Sequence, residues 1–148
     1  MIWKMWRFSW CLSDLQSVYL NSPIHGLMKH LTNFPKLRKV KLSKVQSEDV
    51  EEMVERIGHQ LLHLELVCLR GSLNLSPIAS KCSQLRILEI FYSMGVHVST
   101  PLNFQFPNLT KLVIYSTEIH GFDAQQVILT SEIDLGIRNN GIWRKRHC

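Results

Sequence analysis

Apolar positions along this chain fall into a motif that occurs five times, L-x-x-L-x-L with Val or Ile allowed at the later places. The copies are "LQSVYL" (15–20), "LRKVKL" (37–42), "LLHLEL" (61–66), "LRILEI" (85–90) and "LTKLVI" (109–114), so their starts step by 22, 24, 24 and 24 residues. Within one copy the spacing i, i+3, i+5 suits neither a helix, which favours i+4 and i+7, nor a strand, which alternates strictly. Repetition resolves the anomaly. The fourth and sixth residues of each copy belong to a short strand and point inward, and the first enters the core as the chain arrives from the preceding turn. Three residues before each start stands a second column, Leu12, Phe34, Gly58, Cys82 and Phe106, apolar or cysteine in four of five cases. Proline follows it twice, in "FPKL" and "FPNL".

A period of 22–24 residues lies in the range of a leucine-rich repeat. Stacked copies would pair their strands into a parallel sheet at about 4.8 Å spacing, and no single copy could bury its apolar face alone. The expected fold class is therefore α/β: a leucine-rich-repeat solenoid of about five repeats, with short parallel strands on the concave face and helices or loops on the convex face. Parallel strands need long return connections. In "QSEDVEEMVERIGHQ" (46–60), Val50, Met53, Val54 and Ile57 form one stripe, Ser47 is the expected N-cap, and acidic residues crowd the first turn where the helix dipole favours them. Gly58 is expected to end that helix. "SPIASKC" (76–82) reads as a second return with Ser76 as cap and Pro77 at the first helical position. "SPIHGLMKHLTNF" (22–34) reads as another, with Leu27, Met28 and Leu31 inward. The stretch 93–106 has no helical stripe and is expected to be loop, and a last helix is expected from about Asp123.

Phrases such as "IASKCSQLRILEI" and "HLTNFPKLRKVKLSKVQSEDVEEMVERI" resemble the repeats of F-box/leucine-rich-repeat proteins and their ribonuclease-inhibitor-like relatives, over about residues 12–129. The resemblance implies a substrate-recognition arm of a ubiquitin-ligase adaptor. The Asn or Cys that this family places three residues after the last ladder position falls here on Pro23, Val45, Leu69, Ser93 and Thr117. The turns must therefore satisfy their backbone groups by other partners. Nothing before residue 12 could supply an F-box, so the expectation is an arm without its adaptor-binding end, with abrupt ends as in a truncated or alternatively spliced product. The domain plan is a cap or abrupt end at 1–11, the repeat domain at 12–130 and an irregular basic tail at 131–148.

Composition adds little and excludes more. Apolar residues make up 45 % and charged residues 20 % of the 148, a globular balance. The net charge of +5 shrinks when mapped, because residues 15–131 hold eleven Lys or Arg against nine Asp or Glu. The rest comes from Lys4, Arg7 and the terminal "RKRHC", which is read as a solvated end; a nucleic-acid contact through Arg144–Arg146 is the minor alternative. Cys11, Cys68, Cys82 and Cys148 are too scattered for a metal-binding pair and too few for a disulfide scaffold, which favours reduced thiols and a cytoplasmic home, with the nucleus as alternative. The start "MIWKMWRFSWCL" makes a poor signal peptide, and no apolar run approaches the roughly 18 residues of a membrane span. Trp3, Trp6 and Trp10 step i, i+3, i+7 and fit either a membrane-surface helix or a cap on the open end of the repeats, with capping preferred. The sequons at Asn74 and Asn108 are discounted.

Candidate chemistry is sparse. "HQLLH" (59–63) echoes a zinc-protease helix but has Gln60 in place of the glutamate base and runs into a strand. No nucleophile elbow or phosphate loop occurs. Cys82 belongs to a packing column, and the acidic cluster at 48–55 is the solvated face of its helix. A non-catalytic chain with no cofactor and no metal is expected. The alternating strand residues left over form the concave face: Ser17, Tyr19 and Asn21; Lys39, Lys41 and Ser43; His63, Glu65 and Val67; Ile87, Glu89 and Phe91; Lys111, Val113 and Tyr115. From these, Tyr19, Lys39, Lys41, His63, Glu65, Val67, Glu89, Phe91, Lys111 and Tyr115 are the expected contacts to a protein partner. Val67, Phe91 and Tyr115 align across strands as an apolar stripe suited to a binding hot spot. The alternatives are that the 93–106 loop or the tail covers that stripe, and that the chain is a structural fragment with no autonomous partner.

Overall fold

The structure, a computed structural model, describes residues 13–97 and 106–116 with their side chains, and 119–120, 132–139 and 142–146 as backbone strands. The first four leucine copies and the fifth each carry one strand: β1 (Ser17–Asn21), β2 (Lys39–Ser43), β3 (His63–Val67), β5 (Ile87–Ser93) and β7 (Lys111–Ser116). Between them lie the short strands β4 (Ser72–Asn74) and β6 (Gly95–His97), followed by β8 (Ile119–His120), β9 (Glu132–Asn139) and β10 (Ile142–Arg146). The five repeat strands pair in parallel in chain order, and β9 extends the sheet in parallel from β7 before β10 turns back antiparallel. This is an α/β fold built on a parallel sheet.

Register follows the motif. Val40, Leu64, Leu88 and Leu112 stand in one row, and Leu42, Leu66, Ile90 and Ile114 in the next. All eight are buried, as are the leading leucines Leu37, Leu61, Leu85 and Leu109. Helix α1 (Ser47–Ile57) lays Val50, Met53, Val54 and Ile57 into the same core, and α2 (Leu75–Lys81) adds Leu75, Ile78 and Ala79. The helices and the short 3-10 turns thus lie against one face of the sheet.

The column three residues before each copy has a backbone cause. The amides of Leu37, Leu61, Leu85 and Leu109 donate to the carbonyls of Phe34, Gly58, Cys82 and Phe106, closing one tight turn per repeat. Proline in "FPKL" and "FPNL" sits at the second turn position, where its fixed φ suits the turn. Gly58 is the exception in the column because a Cβ there would stand 3.0 Å from the Cys82 Sγ and 3.2 Å from the Lys81 Cβ. Strand entry is equally repetitive. The carbonyls of Gln16, Arg38, Leu62 and Arg86 each accept two amides from the start of the next strand.

Strand exit shows how the missing Asn or Cys ladder is replaced. Ser22, Lys44, Cys68 and Tyr92 each adopt a left-handed backbone, with φ of 49°, 55°, 54° and 59°. The amides of Ser22, Lys44 and Cys68 donate to Ser43, Val67 and Phe91 carbonyls of the adjoining strand. Val45 and Leu69, three residues past the last ladder position of their copies, are buried.

Several expectations need correction. Residues 95–97, expected in a loop, form β6, which joins β4 and β8 in a second parallel sheet with Leu73 opposite Val96 and Val96 opposite Ile119. The 22–34 return is not an α-helix but a 3-10 turn at Met28–Asn33, because Pro23 and the left-handed Gly26 (φ 81°) hold the preceding residues out of a helix. Met28 and Leu31 are buried there, whereas Leu27 is only partly so. The cap of α2 is Asn74, whose side chain accepts from the Ser76 amide at 3.0 Å; Ser76 and Pro77 lie inside the helix. Gln46, not Ser47, holds the cap position of α1, and Ser47 is its first residue; Gly58 ends the helix as expected and opens a further 3-10 turn. The tail at 131–148, expected to be irregular, contributes strands β9 and β10. The segment 1–11 with its tryptophans, Cys148, and the helix expected from Asp123 lie outside the described residues.

Candidate functional site

Strand alternation turns a second set of rows away from the core. In register across the sheet these are Ser17, Lys39, His63, Ile87 and Lys111; then Tyr19, Lys41, Glu65, Glu89 and Val113; then Asn21, Ser43, Val67, Phe91 and Tyr115. All ten expected contact residues are therefore brought to one face, on neighbouring strands. Two members of the wider set are not available there. Val113 is buried, a short side chain between the longer Lys111 and Tyr115 on its own strand, and Ser43 is buried beside Val67.

Charge on this face is organised, which the sequence does not announce. Lys41 Nζ stands 2.6 Å from Glu65 Oε1, Lys111 Nζ 2.7 Å from Glu89 Oε1, and His63 Nε2 2.9 Å from Glu89 Oε2. Lys41 also lies over the Tyr19 ring, 5.5 Å from its centroid, a cation–π contact. Tyr19, Lys41 and Glu65 thus chain across β1, β2 and β3, while His63, Glu89 and Lys111 chain across β3, β5 and β7. Burial works to raise the Glu89 carboxyl, but hydrogen bonds from Lys111 and His63 and their charge outweigh it and hold the group below its ordinary range. The hydrogen bond to Glu65 holds the Lys41 ammonium above its ordinary range, against a smaller desolvation effect. Lys39 makes no ion pair among the described residues.

The donor atoms of His63, Glu65 and Glu89 lie within 4.8 Å of one another, a spacing that could hold a divalent cation. Both carboxylates are already neutralised by Lys41 and Lys111, so a metal would have to displace two ammonium groups. The arrangement fits a self-satisfied polar network better than a metal centre.

Beside the network runs the apolar stripe. Phe91 and Tyr115 stack with centroids 5.9 Å apart and planes at 18°, and Val67 stands next to Phe91 in register. All three are half-buried; residues 98–105 of the segment expected as a possible cover lie outside the described residues. Other features singled out in the sequence fall elsewhere. His59 is exposed beyond the end of α1, and His63 points into the network, so "HQLLH" splits between two elements. Cys82 is buried, its thiol pushed up to about 12 by desolvation, as its packing column implies.

Comparison of the chain with protein-family models, with characterised proteins and with solved structures yields no match. Function must be argued from geometry. Among the described residues no helix is long and apolar enough to cross a membrane.

Proposed function

We propose that this chain is a leucine-rich-repeat solenoid of the F-box/leucine-rich-repeat type, and that it acts as a non-catalytic protein-binding module through the face carried by β1, β2, β3, β5 and β7. The observation that carries the reading is the stacked Phe91–Tyr115 pair, half-exposed on a sheet face whose neighbouring charges are fixed in place. Aromatic side chains offer large contact area at small entropic cost, and such pairs commonly dominate binding energy. Fixed lysine–carboxylate pairs around them supply a polar rim that sets register more than affinity. The period, the parallel ladder and the recurring turns support the repeat reading, and the resemblance of the repeats supports a role in substrate recognition for a ubiquitin ligase, with catalysis supplied by other subunits.

The test is quantitative affinity purification with the chain and with Phe91→Glu/Tyr115→Glu, using Glu55→Lys on the helical side as control. Proteins held by the parent and the control but released by the double variant support the face. Retention of every partner by the double variant refutes it. Absence of ubiquitin-ligase subunits when a longer form carrying this region is purified refutes the specific role. A second reading, a structural repeat scaffold with no autonomous partner, draws on the internal pairing of Glu65 and Glu89. Those carboxylates need no outside ligand.

A further inference from the structure

At the exits of β1 and β2, where Ser22 and Lys44 adopt a left-handed backbone, the surface opens into a cleft of about 450 Å³ lined by His25, Lys44, Gln46, Asp49 and Arg70, with Ser22 and Pro23 at one side. Three consecutive repeats meet there: His25 from the first, Lys44, Gln46 and Asp49 from the second, Arg70 from the third. Backbone bonds fix their relation, since Gln46 bridges to Arg70, the Arg70 amide donates to Val45, and the Ser47 amide donates to Arg70.

The charge balance of this cleft is what singles it out. Asp49, the only carboxylate among its described lining residues, is almost fully buried and already held by His25, with Nδ1 to Oδ1 at 2.9 Å. Lys44 and Arg70 have no ion pair among the described residues; Lys29, Arg38, Lys39 and Arg86 have none either, but none of those four lines the cleft. Two unneutralised cations therefore share one concave, polar volume, on backbone that the repeat holds in place.

We propose that this cleft binds a phosphate monoester, with Lys44 and Arg70 as its counter-charges. A dianion matches two free cations where a single carboxylate matches one, and the guanidinium of Arg70 can engage two phosphate oxygens at once. The volume lies within the range of small-ligand sites, enough for a phosphoryl group with the moiety that bears it. The bearer is either a small molecule or a phosphorylated side chain. The site is independent of the aromatic face and does not rest on the protein-binding reading.

Titration of the ¹⁵N-labelled full chain with inorganic phosphate, O-phosphoserine, a phosphoserine peptide and, as control, acetate tests the proposal. Saturable shifts are expected with the phosphate probes, confined to amides near Lys44, Gln46 and Arg70, and absent with acetate at equal ionic strength. Lys44→Gln and Arg70→Gln are each expected to weaken phosphate binding about tenfold. Both side chains are exposed, so the variants should keep the parent melting temperature. Tighter binding of the peptide than of O-phosphoserine assigns the bearer to a polypeptide, and equal or weaker binding to a small molecule. Failure of every phosphate probe to saturate overturns the proposal. So does an equal loss from Lys39→Gln or Arg86→Gln, which would reveal diffuse attraction to a basic surface.

Discussion

Replacing Glu89 by Gln keeps the shape of a side chain that lies at the centre of the open sheet face while deleting its charge. The carboxylate is 13 % exposed and receives Lys111 at 2.7 Å and His63 at 2.9 Å. Hydrogen bonds to charged groups contribute about 1.5–3 kcal/mol each. Lys111 is 37 % exposed, so solvent screening removes most of its share, and the expected net loss at pH 7 is about 1–2 kcal/mol. With a urea m-value of about 2 kcal/mol/M, the unfolding midpoint should fall by about 0.5–1 M. The sign of the pH dependence follows from the lowered carboxyl. In the unfolded chain a glutamate titrates near about 4.3, and in the folded chain it titrates lower. On acidification the unfolded state takes up the proton first, so the stabilisation is fully present well above that value and is lost as pH falls through the folded one. Protonated Glu and Gln are near-isosteres, so parent and variant should converge in acid. Urea melts at pH 7 and at stepwise lower pH, with Lys111→Met and the double variant closing a cycle, measure both effects. A deficit that stays the same as the pH falls, or a coupling to Lys111 indistinguishable from zero, refutes the network.

Leu88→Ala, at a fully buried ladder position between Leu64 and Leu112, should cost about 2–5 kcal/mol, read as a lowered urea midpoint. Cys68→Gly should raise stability by about 0.5–1 kcal/mol, because the residue is exposed and its φ of 54° is a left-handed conformation that glycine adopts without strain. In site-resolved alkylation at pH 8, Cys68 should label readily while Cys82, buried with its thiol pushed up to about 12, should label only on unfolding.

The parallel ladder was legible because each strand is marked twice, by two inward leucines and by the leading leucine that precedes them. Where one mark is missing, the strand does not show in the sequence. In β9, Ile133 and Leu135 stand in register with Leu112 and Ile114, but the leading position falls on Thr130 and the step shortens to 21 residues. The tail therefore read as irregular. Its partner β10 had a signal of its own, the Asn-Gly pair at 140–141, which is the strongest short hairpin mark. The second sheet left a fainter trace. Leu73, Val96 and Ile119 recur every 23 residues, yet strands of two or three residues are too short to show alternation.

The open face divides along the same line. Which residues occupy it followed from alternation alone, since a parallel strand with one buried side must present the other. How they pair did not: Lys41 and Glu65 share a row, but Lys111 and His63 reach Glu89 diagonally from the neighbouring row, so the contacts join residues 22 to 26 positions apart. The two halves of the face differ in character. Toward β1 the rows carry Tyr19 and Lys39, exposed and with no ion pair among the described residues for Lys39; toward β7 they carry the stacked Phe91–Tyr115 pair. Between them the lysine–carboxylate network satisfies itself, so a partner would gain little by competing for those charges. On the proposed protein-binding reading, binding energy would then come from the two flanks, with the network serving as the fixed polar strip that holds them apart.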